Sequence, residues 1–454
     1  MIERFAVADE LTCYYDRSVE PANVHLEVLV AGRLDPAAVS ASVAAVLASQ
    51  PRIMARRRPA VWRRGYHWEF PVPLGTEPVL TASYAGQEDL DRRRDAFLSS
   101  SLSLDVAPPL RFLLASGPNG DHLILNAHHA AFDGLSCLRL MREVAGQYGP
   151  AVAGGQAMAI PPPMPDADPA PLAASGSARP ATPPLNPCWG QDPSKGSARE
   201  ASVGAARRKF GRAARIAPGL EAEPRLQGYG AHLVTWDGLT VTNSLRKDGA
   251  SINDLLIAAL MITISEWNRA RGSGDGIKIT MPVGDKTQAG QEGQWANLSR
   301  LTTIAARVPA GARPAEVIAD VTSQTRAAKE HTGPQLDLAS RALAAAPLPV
   351  TVKYMLLRLA LRVAGPLFCD TSLVSNLGVA GTLAFGPMPA EQVWFSTSAH
   401  MPRGLSLGAV TAGGALRLTF RYRRALMSGS DAGEFGAIFA KVLDQFSGEE
   451  AVRR

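Results

Sequence analysis

The residues best suited to chemistry lie in one run, Asn126-Ala-His-His-Ala-Ala-Phe-Asp-Gly134. Histidine is the side chain that most readily takes and returns a proton near neutral pH. His128 and His129 end an apolar strand run, Asp133-Gly134 follows four residues after the second, and a helical pattern begins at once. A strand end that opens into a loop holds a base and keeps it reachable. Successive strand residues face opposite ways, so one histidine should be buried and structural and the other free to meet a substrate. Asp133 would orient the loop by ion pairing, and Gly134 would let backbone approach closely. Two satisfied strand-end histidines, or a metal on His128, His129 and Asp133, are the alternatives. Adjacent strand histidines diverge, and no third His or Cys stands at ligand spacing, so no metal is expected.

A rival run, Gly404-Leu-Ser-Leu-Gly408, matches the G-x-S-x-G nucleophile elbow. That elbow needs a helix after the serine, then Asp or Glu, then His. Here a strand and a Gly413-Gly414 turn follow, and no histidine lies beyond His400. The match is accidental.

The elements that must position the histidines alternate helix and strand. Residues 25–30 alternate like a strand, and Asp35-Pro36 opens an Ala/Val-rich helix over 37–49. Residues 88–102 read as a charged helix. Residues 110–115 and 122–127 are strand runs joined by Gly117-Pro-Asn-Gly120, a hairpin signature. A helix is expected over 134–148. Further on, Ser251-Ile-Asn-Asp254 resembles a capping box before an apolar helix over 255–267. Strands are expected at 277–283, 301–308 and 373–376, a helix from Pro314 to about Lys329, and a hairpin of 405–411 with 416–422. Mixed helices and hairpins in both halves argue for two α/β layers with mixed sheets.

One composition break divides the chain. Residues 150–187 hold eleven prolines among Ala, Gly and Ser, which bury little and favour extended conformations. The reading is an N-terminal lobe over 1–150, a Pro/Ala/Gly-rich linker over 151–198 and a C-terminal lobe over 199–454.

The chain has 454 residues, 46% hydrophobic and 19% charged, with formal net charge +6. That is a globular composition and excludes wholesale disorder. Cys13, Cys137, Cys188 and Cys369 form no C-x-x-C pair, so neither a zinc clip nor a disulfide framework is expected, and a reducing cytoplasm suits them. The N-terminal residues carry charges where a signal peptide needs an apolar core, and no run reaches the roughly 20 apolar residues of a membrane span. Residues 354–368 come nearest but contain Arg358 and Arg362; a surface helix is expected rather than one lying on a membrane, and no integral membrane contact. The positive charge is concentrated: residues 52–64 carry +6 and residues 199–215 carry +5, so the remainder nets −5. Neither stretch holds a nucleic-acid reading motif, so no nucleic acid is expected; a solvated surface, an acidic protein or a phosphate-bearing ligand fits each.

The run HHAAFDG resembles the HH-x-x-x-DG signature of the condensation-domain and chloramphenicol-acetyltransferase-like acyltransferases. These include nonribosomal peptide condensation domains, polyketide-associated acyltransferases and wax-ester/diacylglycerol acyltransferases. Residues 104–111 (LDVAPPLR), Ser251 to Asp254, Pro282 to Lys286 with Asn297, and Ser375-Asn-Leu-Gly378 resemble further segments in the same order. The resemblance implies an α/β fold of two acetyltransferase-like lobes, a V-shaped pseudo-dimer around a central tunnel. It implies His129 as base, Asp133 holding the loop, a Gly134 amide near the carbonyl, and His128 as the structural member. Lys286 stands where the family usually has Arg, replacing a two-pronged contact to Asp133 by a point charge. Ser136, Ser375 and Asn376 are candidate oxyanion or substrate contacts. The D-F-G-W-G motif of the plant-type branch is absent. The expected activity moves an acyl group from acyl-coenzyme A or an acyl-phosphopantetheine carrier to a hydroxyl or amine, with no permanent cofactor. The expected partners are an acyl or peptidyl carrier protein and a small-molecule acceptor, and the enzyme is expected to stand alone as a monomer. A silent docking module or an epimerase-like variant of the fold are the alternatives.

Overall fold

In the computed structural model, residues 1–59, 62–154, 213–237, 249–283, 300–330, 342–343, 345–368 and 370–452 are described. The chain begins with β1 (Ile2–Arg4), α1 (Val7–Tyr15), β2 (Asn23–Val30), α2 (Pro36–Ser49), β3 (Arg56–Arg57), β4 (His67–Glu69) and β5 (Val79–Ser83). Next come α3 (Gln87–Leu98), β6 (Leu110–Gly117), β7 (Gly120–His128), α4 (Gly134–Gly154) and β8 (Tyr229–Trp236). Then follow α5 (Ile252–Ala270), β9 (Gly276–Val283), β10 (Arg300–Arg307), α6 (Pro314–Glu330) and α7 (Val350–Phe368). The last are β11 (Ser372–Val379), β12 (Ala384–Phe385), β13 (Met388–Thr397), β14 (Leu405–Ala412), β15 (Ala415–Arg423) and α8 (Gly429–Val452).

Local signals fix many of these. Asp35 caps α2 by accepting from the Ala37 amide, with Pro36 in the first turn. Ser251 and Asp254 close a capping box at the start of α5, and Thr325 of α6 donates its hydroxyl to the same Asp254. The turn between β6 and β7 leaves only Pro118 and Asn119 outside the strands, with Gly120 at φ 106°. Gly120 must be glycine: a Cβ there would stand 2.3 Å from the Val30 carbonyl oxygen.

Two six-stranded mixed sheets result, ordered β12-β13-β2-β7-β6-β5 and β10-β9-β11-β14-β15-β8, with a small β1-β4-β3 sheet beside them. The first packs α2 and α4 over Val24, Leu26, Leu123 and Leu125. The second packs α5 and α8 over Ile279, Leu407, Leu418 and Phe420. β12 and β13 come from the C-terminal part of the chain yet complete the first sheet, β13 pairing with β2 along Val24 to Val30. β13 then lies directly on β14: the Ser406 hydroxyl donates to the Thr397 carbonyl, and a Cβ at Gly408 would fall 2.0 Å from the Phe395 carbonyl oxygen. The glycine of the false G-x-S-x-G match is therefore where the two sheets touch.

α3 covers the other face of the first sheet. There Glu27 is fully buried and holds Arg94 of α3 through two hydrogen bonds of 2.6 and 2.8 Å. His122 Nδ1 lies 2.6 Å and His25 Nε2 3.2 Å from the same carboxylate. Burial alone would raise this carboxyl, but Arg94 and both histidines hold it well below the usual range. The cluster locks β2, β7 and α3 together behind the strand that ends in His128.

Candidate active site

β7 ends in the two histidines, and they part as alternation requires. His128 is buried; its Nδ1 accepts the Ala130 amide at 3.1 Å. Its Nε2 lies 3.3 Å from Asp16 Oδ2, close enough for an ion pair but too oblique for a hydrogen bond. Burial would raise the Asp16 carboxyl, yet His128 and the Ala22 amide hold it below its ordinary value. His400 lies within the field of the same carboxylate, and burial together with Arg403 pushes its ring down to about 3.

His129 is half-buried. Its backbone amide donates to the Ala22 carbonyl at 2.7 Å, and its Nδ1 stands 3.1 Å from the Phe132 carbonyl oxygen. A carbonyl only accepts, so Nδ1 carries the proton and Nε2 of the neutral ring keeps a free lone pair. Desolvation lowers the pKa of this ring, opposed in part by the Asp133 charge.

Asp133 does not hold its loop through a cation among the described residues. Its Oδ1 accepts the Ser136 amide at 2.8 Å and its backbone carbonyl accepts from Cys137, so it acts as the N-cap of α4. Lys286, its expected ion-pair partner, lies outside the described residues, as do Asn297, residues 155–198 of the linker expected over 151–198, and the basic stretch up to 212. Gly134 is buried in the first turn of α4, and a Cβ there would lie 2.5 Å from Leu377 and 2.7 Å from Phe395. The motif glycine is thus the point where α4 meets β11 and β13. The Gly134 and Leu135 amides make no hydrogen bond among the described residues, leaving two donors at the positive end of a long helix.

The other candidates stand around this point. Ser136 is buried in the first turn of α4. Ser375 is buried on β11, two residues before the Leu377 that meets Gly134. Asn376 donates to Asn253 at 2.7 Å and accepts the Gly378 amide, so much of its bonding capacity is already used. β11 pairs with β9 only at Ser372 and Leu373. Beyond Leu373 these strands part, which opens the second sheet beside Ser375 and Asn376. Among the described residues no group of three or more His, Cys, Asp or Glu side chains stands where a metal would be held.

Sequence reasoning missed Asp16, which lies more than a hundred residues before its partner His128. It also missed Arg421 of β15, fully buried between the sheets, which donates to the backbone carbonyls of Asn23 and Leu98 and lies over the Tyr229 ring. Burial pushes that guanidinium down to about 10. No short pattern marks either residue.

No family model matches the chain. Uncharacterised proteins from two strains of Mycobacterium tuberculosis (H37Rv and CDC 1551) are each 28% identical over 475 residues, covering 97% of this chain and 98% of theirs. Among solved structures, the first condensation domain of the calcium-dependent antibiotic synthetase, in complex with a substrate analogue, superposes with TM-score 0.63 at 15% identity, covering 98% of this chain and 96% of that one. The chain has the condensation-domain fold. The same fold relates it to the wax ester synthase/diacylglycerol acyltransferase of Marinobacter aquaeolei VT8 (TM-score 0.60, 13% identity, 98% and 99% covered). It also relates it to the starter condensation domain of rhizomide synthetase solved with C8-CoA and Leu-SNAC (TM-score 0.59, 13% identity, 98% and 94% covered). Within this fold the His-His-x-x-x-Asp-Gly run sits where the two sheets meet, with Gly134 against Leu377 of β11 and Phe395 of β13.

Proposed function

We propose that the chain is a condensation-type acyltransferase that moves an acyl group from a thioester to a hydroxyl or amine, with His129 as general base. The observation that carries this reading is the Nδ1–Phe132 carbonyl contact, which leaves Nε2 of a half-buried neutral ring unprotonated. Nε2 takes the proton of the acceptor O–H or N–H as that atom attacks the thioester carbonyl. The carbonyl electrons move onto oxygen, and the free Gly134 and Leu135 amides supply donors for that charge. Collapse expels the thiol, which leaves with the proton from His129, so atoms and charge balance and no covalent enzyme intermediate arises. Asp133 positions the helix start, and His128 with Asp16 fixes the strand end from the opposite face.

The opening between β9 and β11 is the proposed tunnel mouth through which one substrate reaches Ser375 and the motif. The neighbour that binds C8-CoA supports an acyl-coenzyme A donor, and condensation domains in general support a carrier-borne one. The test is mass spectrometry with acyl-coenzyme A and acyl-carrier donors side by side. A new ester or amide mass supports the reading; inverted stereochemistry at an acyl α-carbon would instead assign an epimerase, and no change with either donor a docking module.

The pH profile gives an independent check. Because His129 is lowered, its lone pair should survive acidification further than that of a free imidazole. The acid limb of kcat/KM is therefore expected below about 6.5, the value of an unperturbed ring, with a single-proton slope. A limb above that value, unchanged in a His129→Ala protein, would remove this histidine from the role of base.

A further inference from the structure

α7 is apolar on two opposite sides, and only one of them is covered. At 100° per residue, Val350, Tyr354 and Leu357 share the inner side. There the Val350 amide donates to the Arg63 carbonyl, Tyr354 meets the ring of Tyr14, and buried Lys353 reaches Glu10 and the Arg64 carbonyl. Met355, Leu356, Leu359 and Val363 fall on the opposite side, and they are 68%, 45%, 59% and 74% exposed. An apolar helical stripe normally faces a core; this one faces water. A contiguous exposed patch of this kind marks a surface that is covered by something else.

The surroundings say what covers it. Arg358 and Arg362 flank the stripe and are exposed, and no acidic residue occurs anywhere from 350 to 368. The adjoining loop, tied to the start of α7 by the Arg63 and Arg64 carbonyls, carries Trp62 at 83% exposure, with Arg63 and Arg64 also exposed. In the same stretch Arg52, Arg56 and Arg57 are neutralised by Glu3, Glu69 and Asp105, whereas Arg63 and Arg64 form no ion pair among the described residues. An apolar stripe lying along a helix, an exposed tryptophan beside it and unopposed arginines at its border match the requirements of an anionic lipid interface. A second copy of the chain fits less well. The stripe from Met355 to Val363 is about 12 Å long at 1.5 Å per residue and one helix, about 10 Å, wide, on the order of 100 Å² against the roughly 600 Å² that each partner of a stable dimer buries. Pairing two such helices would also bring Arg358 and Arg362 against their own kind with no carboxylate on either helix.

We infer that α7 and the Trp62 loop form a peripheral docking surface for an anionic lipid bilayer, on which the outer face of α7 lies flat. No helix among the described residues is long and apolar enough to cross a membrane, so the contact is interfacial. The inference stands apart from the acyl-transfer reading, since none of these side chains belongs to the His129 site.

The test is co-sedimentation of the whole chain with vesicles of phosphatidylcholine alone and of phosphatidylcholine with phosphatidylglycerol. The protein is expected to pellet with the anionic vesicles and much less with the neutral ones. About 0.5 M salt should weaken the binding by screening the arginines. The double substitution Leu359→Glu with Val363→Glu should reduce vesicle affinity at least about tenfold by removing the apolar contact and adding repulsion. Because both side chains are exposed, its thermal midpoint should stay put. Trp62→Ser should weaken binding separately and abolish any vesicle-induced shift of tryptophan emission. Wild-type protein that ignores both vesicles, or a double variant that binds like wild type, overturns the inference. A wild-type dimer in solution that the double substitution turns into a monomer assigns the face to a second copy instead.

Discussion

Replacing His129 with alanine is expected to lower acyl transfer about 10²–10⁴-fold, the usual worth of general-base help, while the thermal midpoint hardly moves. The ring is half-buried and, among the described residues, makes one side-chain hydrogen bond, to Phe132. His128→Ala should do the reverse. That ring is buried, receives the Ala130 amide and faces Asp16, so its loss leaves an unpaired amide and takes from the Asp16 carboxylate one of its partners, at about 1–3 kcal/mol of stability. Initial rates and chemical denaturation on both variants decide the matter. A His129→Ala protein that turns over at the wild-type rate would end the mechanism, whatever its stability.

The second large effect is thermodynamic. Glu27→Ala is expected to cost about 3 kcal/mol, because it leaves the fully buried Arg94 guanidinium with Asp91 alone, at its outer edge, and removes the shared partner of two buried histidines. The partner variant Arg94→Ala should be costly for the mirrored reason. The double variant should lose less than the sum, since one network is being removed twice. Urea midpoints on the three proteins measure this. A Glu27→Ala loss below about 1 kcal/mol would mean that water already satisfies the cluster and that it does not lock β2 to α3.

Much of the scaffold around the site is local physics. The β6–β7 hairpin follows from Gly117-Pro-Asn-Gly120, the start of α2 from Asp35-Pro36, and the start of α5 from Ser251 and Asp254. Each depends on residues within one turn of one another, so a short window contains all of the interacting atoms. The opposite facing of His128 and His129 is equally local, because strand alternation allows nothing else. The ends of elements were less legible: α3 stops at Leu98 rather than 102, α4 continues to Gly154, and β13 and α8 gave no distinctive pattern.

What a window cannot contain is what arrives from elsewhere in the chain. Asp16 meets His128, and Arg421 spans the sheets, only because β2, β7 and β15 are brought together by tertiary packing. Asp133 caps α4, a role its position directly before the helix already permits, while its expected cation, Lys286, lies outside the described residues. Gly404 to Gly408 imitates a nucleophile elbow, and nothing local reveals that Gly408 is there because the Phe395 carbonyl leaves no room for a Cβ. Likewise the periodicity of residues 350–368 defines an apolar stripe, but which side turns to the protein depends on where α1 and the Arg63 loop lie. The sequence by itself determined the strand-end histidine pair, the helix caps, the hairpins and the mixed α/β class, because those rest on short-range sterics and hydrogen bonds. Only the tertiary structure decided the seam between the sheets, the partners of the buried charges and the outward face of α7, because these depend on close approach between segments that the chain separates by up to several hundred residues.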